Sequence, residues 1–250
     1  MKKNTNFVHE SIISKQKNIS HYLKPIKNMK KFLLLLSVHF IFIHHNYAQM
    51  SAGFTLGGMN YQGDLVKGYV DAKEINIGYG VFIAKRFDNP KITLKGQVQM
   101  GQISGNDANY PDRQQRGLKF TSPVTFIGAA VDYAPFAKKG YNLDFDFIPR
   151  TNVFLSGGLG FTLFNPKVQG FAQNAPDKNA EIPKAIATIP LGIGLHFDMS
   201  PEWSLSLQGS YYITSTDYLD GVSVAGTPGN NDYFFFYGLS LAKKWGDKKR

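Results

Sequence analysis

The chain has no cysteine. That excludes disulfide frameworks, thiolate metal centres, a cysteine nucleophile and a lipidated N-terminal cysteine. Histidine is scarce beyond the leader: His9, His21, His39, His44 and His45 precede Ala48, and His196 alone follows it. A multi-histidine metal site is therefore excluded. No apolar run reaches the about 20 residues that a spanning helix needs; the longest, Phe32–Ile43, has 12. Outside the leader the chain also lacks a strong excess of one charge. The first 48 residues hold eight lysines and one acidic residue, Glu10, and subtracting these from the whole-chain 28 and 18 leaves 20 basic and 17 acidic side chains. Those charges are scattered over connectors, so no nucleic-acid footprint is expected.

What is present begins with an export signal. Met29-Lys30-Lys31 precedes the apolar run, and a short polar stretch then ends at Ala48. This order of positive, apolar and polar segments reads as a signal peptide over residues 29–48, with cleavage expected after Ala48. Residues 1–28 are polar and lysine-rich and are read as an upstream extension, with translation expected to start at Met29. Residues 49–250 form the mature domain.

From Ser51 to Trp245 the sequence alternates apolar and polar residues in eight stretches, the period of a β-strand. The clearest sets Ile75, Ile77, Tyr79, Val81 and Ile83 against Glu74, Asn76, Gly78 and Gly80. Thr121–Tyr133 is ambiguous, because Val124, Phe126, Ile127 and Val131 fall on both faces. Pro190 lies inside a stretch and predicts a bulge or an irregular start. The face opposite the apolar one is rich in Gly, Ser, Thr and Gln. Short connectors (87–91, 198–202) alternate with long polar ones (102–119, 165–184, 215–231), the pattern of turns inside and loops outside a bacterial outer membrane. Trp203 and Trp245 fall near one interface, Tyr211 and Tyr233 near the other. The expected fold is all-β: an eight-stranded antiparallel up-and-down transmembrane β-barrel of OmpA/OmpX-like size, in contact with outer-membrane lipid and lipopolysaccharide. A barrel of that size has an interior just wide enough for side chains.

Four short segments carry a family resemblance: Asn60-Tyr61-Gln62-Gly63-Asp64-Leu65, Arg116-Gly117-Leu118-Lys119-Phe120-Thr121-Ser122-Pro123, Gly157 through Lys167, and Asn230-Asn231-Asp232-Tyr233-Phe234-Phe235. Together they resemble a family of Bacteroidota outer-membrane β-barrels, several of unknown function, that includes the PorG-like component of the type IX secretion system. The resemblance implies a non-enzymatic barrel tied to a periplasmic secretion assembly. The chain departs from the usual barrel ending, since Gly246–Arg250 follows Trp245.

Candidate residues follow from position. The connector 134–150 should be a tight turn but is long and aromatic, so Phe136, Tyr141, Phe145, Phe147 and Arg150 are expected to meet a periplasmic protein partner. Asp64 and Arg116 are expected to tether loops at the outer rim. Glu74, Arg86, Lys95 and Lys244 face inward and predict ion pairs that plug the barrel. Asp107, Asp112, Asp217 and Asp220 match no calcium-loop spacing and read as solvated loop charges. His196, Asp198 and a strand serine have the residue types of a hydrolase triad, but a histidine bonded to interior polar groups is the stronger reading. Gly157-Gly158-Leu159-Gly160 continues into a strand, not a helix, so it is no dinucleotide loop. No cofactor, metal site or catalytic residue is expected. The alternatives to an interaction barrel are a small-solute channel and, behind it, a membrane hydrolase.

Overall fold

A computed structural model of the chain describes residues 49–66, 68, 71–138, 149–170, 172 and 175–246. The expected leader over residues 1–48 lies outside the described residues. Eight long strands run antiparallel: β1 (Gln49–Gln62), β2 (Asn76–Arg86), β3 (Ile92–Asn106), β4 (Lys119–Tyr133), β5 (Thr151–Phe164), β7 (Ala185–Asp198), β8 (Trp203–Thr214) and β9 (Tyr233–Trp245). A short β6 (Lys167–Gln169) pairs with the start of β4 and prolongs the wall beyond β5. Each long strand pairs with its neighbours, and β9 returns to pair with β1, Met50 opposite Trp245 and Gln62 opposite Tyr233. The eight long strands thus form a closed barrel in which each is paired on both sides. Among the described residues only short 3-10 turns supplement the strands.

The alternation of the sequence becomes an inside and an outside. Ile77, Val81, Leu159, Phe161 and Ile193 stand on the exterior, each more than half exposed. An apolar belt of this kind far exceeds the patches that a protein in water tolerates. Trp203 and Trp245 are exposed at the end of the short turns, and Tyr211 stacks on Tyr233 at the opposite end.

The lumen has two halves. Toward the short turns it is polar: Lys95, Gln99, Ser204, Gln208, Ser240 and Lys244 are buried. Toward the long loops it is a packed core. Tyr61, Phe120, Phe126, Tyr212, Phe234 and Phe236 are all fully buried there. Tyr212 and Phe234 stack with centroids 4.4 Å apart, and Phe126 meets the Tyr212 ring edge-on at 4.9 Å. Leu65, Leu219 and Val222 close this core from the loops.

Several expectations need correction. The plug is aromatic, not ionic, because β4 and β9 each turn large side chains inward as well as outward. The ambiguity of Thr121–Tyr133 has this cause: Val124 and Phe126 fill the lumen while Ile127 and Val131 face out. Of the inward charges, Lys95 pairs with Asp132 at 3.1 Å and Lys244 with Asp198 at 2.5 Å. Glu74 lies in the 3-10 turn Ala72–Glu74 and accepts from Ser104 and Asn109. Pro190 makes no bulge. The β5–β7 pairing lapses at Ile189 and Pro190 but resumes in the same register, Gly160 opposite Thr188 and Gly157 opposite Leu191. Proline only lacks its donor there, and the β8 side of the ladder stays intact.

Candidate functional site: the loop latch and the turn-end cavity

Long polar loops have no ladder to satisfy their backbone groups, so side chains must do so. Here buried aspartates from different loops do that work. Asp107, at the end of β3, is fully buried and holds Arg116 through two bonds, 2.8 Å from Nε and 2.7 Å from Nη2. The same guanidinium donates to the carbonyls of Asp64 (2.8 Å) and Ala225 (3.1 Å), and Arg113 donates to Asp64 as well (2.6 Å). The Asp64 carboxylate accepts the Thr227 amide at 3.0 Å. Asp177 accepts the amides of Val224 and Ala225. The connector after β1 and the three long ones are therefore tied to one another above the aromatic plug.

At the centre of this latch the Tyr61 hydroxyl lies 2.6 Å from Asp220 Oδ2 and 2.6 Å from Asp232 Oδ1. It also accepts the Asp64 amide at 3.1 Å. Asp220 takes the Val222 amide and Asp232 the Leu219 amide. The approach is close enough to require glycine: a Cβ on Gly63 would sit 2.0 Å from the Tyr61 hydroxyl and 2.1 Å from Asp232 Oδ1. A Cβ on Gly226 would meet Asp64 Oδ2 at 1.9 Å. Burial shapes the charges. It raises the Asp64 carboxyl, against the lowering effect of the Thr227 bond. The bond to Asp107 raises Arg116. Burial, reinforced by the facing Asp232, holds Asp220 well above the carboxylate range, and burial pushes Asp232 up to about 8.

The loop acids are thus not all solvated charges. Asp107, Asp217 and Asp220 are buried and hydrogen-bonded, and Asp112 alone of the four is exposed. Asp64 and Arg116 meet in the latch. Tyr61, Asp177, Asp220 and Asp232 were not singled out as site residues. A signal existed for two of them, since Tyr61 and Asp232 lie in the family-like segments that also supply Asp64 and Arg116. Asp220 and Asp177 carry no such mark; only burial identifies them.

At the other end a cavity of about 950 Å³, counting its open mouth, enters from the short turns and stops beneath the aromatic plug. Arg86, Lys95, Asp132, His196, Ser206 and Lys244 are on its wall. His196 lies opposite Ser206 in the β7–β8 register, and its Nδ1 is 2.9 Å from Ser206 Oγ. Its Nε2 is 3.3 Å from Asp198 Oδ1, the oxygen that also takes Lys244 Nζ. Ser206 is inside two ladders, opposite His196 and Ser240, so its backbone amide is committed to the sheet and cannot face a developing oxyanion. Among the described residues no group of three His, Asp or Glu side chains is arranged to hold a metal ion.

Of the residues expected to meet a partner, Phe136 is exposed at the turn end. Arg150 begins the approach to β5, where its carbonyl accepts the Asp198 amide at 2.9 Å. Tyr141, Phe145 and Phe147 lie outside the described residues.

No curated protein matches the sequence. Among solved structures the chain is similar to Ail, the attachment invasion locus protein of Yersinia pestis, at 11% identity and a TM-score of 0.41, covering 79% of this chain and 99% of that one. It is similar to Neisserial surface protein A at 10% identity and a TM-score of 0.44, covering 80% and 98%. It is also similar to the outer-membrane enzyme PagL at 16% identity and a TM-score of 0.34, covering 76% and 97%. A family model described as a domain of unknown function, DUF6089, matches residues 29–249, and the chain belongs to that family.

Proposed function

We propose that this protein is a sealed barrel of the outer membrane with a structural or interaction role, and that it anchors a periplasmic assembly of the type IX secretion kind. The observation that carries this reading is the plug. Fully buried aromatic rings fill the lumen on the loop side, and the latch ties the loops over them. A wall that is greasy outside and shut inside holds position in lipid without passing solute. The outer-membrane placement is supported by the exposed apolar belt and by the aromatic residues at both ends of the strands. The assembly role is supported by the family-like segments and by the aromatic connector 134–150 on the turn side, where Phe136 is exposed.

The test is recovery of the partner. Purification in mild detergent is expected to bring down a periplasmic protein with the full chain and to lose it when residues 137–147 are deleted. Recovery of the barrel alone in both forms would refute the anchor. A small-solute channel is the second reading; it requires steady conductance in planar bilayers, and the plug argues against it. A hydrolase using Ser206, His196 and Asp198 ranks third, because the serine lacks backbone oxyanion donors. An unchanged lipid A profile in His196→Ala would dispose of it.

A further inference from the structure

Hydrogen-bond accounting at the centre of the latch leaves one proton to be found. The Tyr61 oxygen has a single hydrogen to donate and two lone pairs. One lone pair takes the Asp64 amide. The hydroxyl hydrogen can go to only one of the two carboxyl oxygens that lie 2.6 Å away. The remaining 2.6 Å contact is a hydrogen bond only if that carboxyl carries its own proton and donates into the second lone pair. With neither carboxyl protonated, two oxyanions would face one hydroxyl in a fully buried site, where unpaired charge is expensive.

We propose that Tyr61, Asp220 and Asp232 form a proton-binding site, and that the bound proton holds the loop-end plug shut. The surrounding charges favour it. Asp64 from the connector after β1 and Asp217 from the one after β8 lie close enough to oppose further negative charge on the pair. Arg116, whose guanidinium feels the Asp220 charge, is already engaged by Asp107. Among the described residues the other bonds to the two carboxyl groups come from neutral backbone amides, those of Leu219 and Val222. Loss of the proton therefore expels the loop that carries Asp220, along with Leu219 and Val222, which cap the aromatic core.

The sign follows from the two states. In the opened loop a hydrated aspartate releases its proton near pH ~3.9; in the closed latch Asp232 holds it up to about 8. Closure is therefore fully supported below the lower value and loses support as pH rises through the upper one. Opening should increase by about tenfold per pH unit across that window and level off above it.

The proposal is tested on the folded barrel in detergent micelles, so its outcome does not depend on whether the barrel anchors anything. Chymotrypsin cleavage at Tyr218 and Leu219 is followed from pH 5 to 9 and normalised to a free peptide of the same loop. Wild type is expected to show the tenfold-per-unit rise, ending near pH 8, and Asp220→Asn to show a flat profile. Infrared spectra at pH 7 are expected to show the carbonyl band of a non-ionised carboxyl in wild type that Asp220→Asn lacks. A flat wild-type profile, a slope retained in Asp220→Asn, or no such band in wild type would overturn the proposal. If Asp220→Asn does not fold, the two wild-type measurements still decide, and Asp232→Asn replaces it.

Discussion

Arg116→Met is the sharpest probe of how the loops are held. Methionine keeps much of the side-chain stem and removes the guanidinium with its two bonds to Asp107 and its bonds to the Asp64 and Ala225 carbonyls. Asp107 stays fully buried and, among the described residues, keeps the Leu118 amide as its carboxylate's donor. Removing one partner of a buried ion pair costs about 3–5 kcal/mol. The Arg116 side chain is one-quarter exposed, so water can reach the vacated space and the low end applies, about 3 kcal/mol. Each ~1.4 kcal/mol is a factor of ten, so the open fraction of the loop cap should rise roughly 100-fold. The assay is limited proteolysis of the detergent-solubilised barrel at a protease level where reclosing outpaces cleavage, so that the rate reports the open population. Adding Asp107→Asn removes the stranded charge and should return cleavage to within about tenfold of wild type. A rise below about threefold for Arg116→Met, or no recovery in the double variant, would refute the view that this pair locks the loops.

Three further outcomes follow from the same geometry. Phe126→Ala deletes a fully buried ring of the plug and should cost about 3–5 kcal/mol in urea unfolding; planar bilayers should show steady conductance for this variant and none for wild type. Gly63→Ala places a methyl against Tyr61 and Asp232 and should lower the unfolding midpoint by an amount equivalent to about 1–3 kcal/mol, whereas Gly209→Ala, with nothing within 4 Å of the added carbon, should not. Lys244→Met takes the lysine cation from the Asp198 carboxylate, 5% exposed, which keeps His196 at 3.3 Å, and should cost up to about 3 kcal/mol in the same measurement; Lys244→Met with Asp198→Asn should recover most of it.

The barrel was legible because a period of two, sustained over strands such as Asn76–Arg86, leaves little else that the chain could form. Connector lengths ordered the strands and gave the two ends. The content of the lumen was not legible to the same degree. Phe120, Phe126, Phe234 and Phe236 point inward beside Ile127, Phe235 and Tyr237 on the other face. Where both faces are apolar, alternation carries no information about which is inside. The loops were harder still. Asp220 and Asp112 look alike in sequence, yet one is fully buried and the other exposed, because burial depends on which loops meet across the barrel mouth. The family-like segments pointed to the right region without showing why. The segment with Tyr61 and Asp64, Arg116 and Asp232 are distant from one another in sequence and converge only when the cylinder closes.

That closure has a consequence for biogenesis. The first strand of the cylinder finds its second neighbour only in the last, Met50 beside Trp245. No partial translation product can be a finished cylinder, and contacts between such remote segments form slowly. Until the final strand has arrived, one flank of β1 exposes bare amides and carbonyls, a template for aggregation. The newly made chain must therefore be shielded until its first and last strands meet, which makes closure the committed step of its maturation.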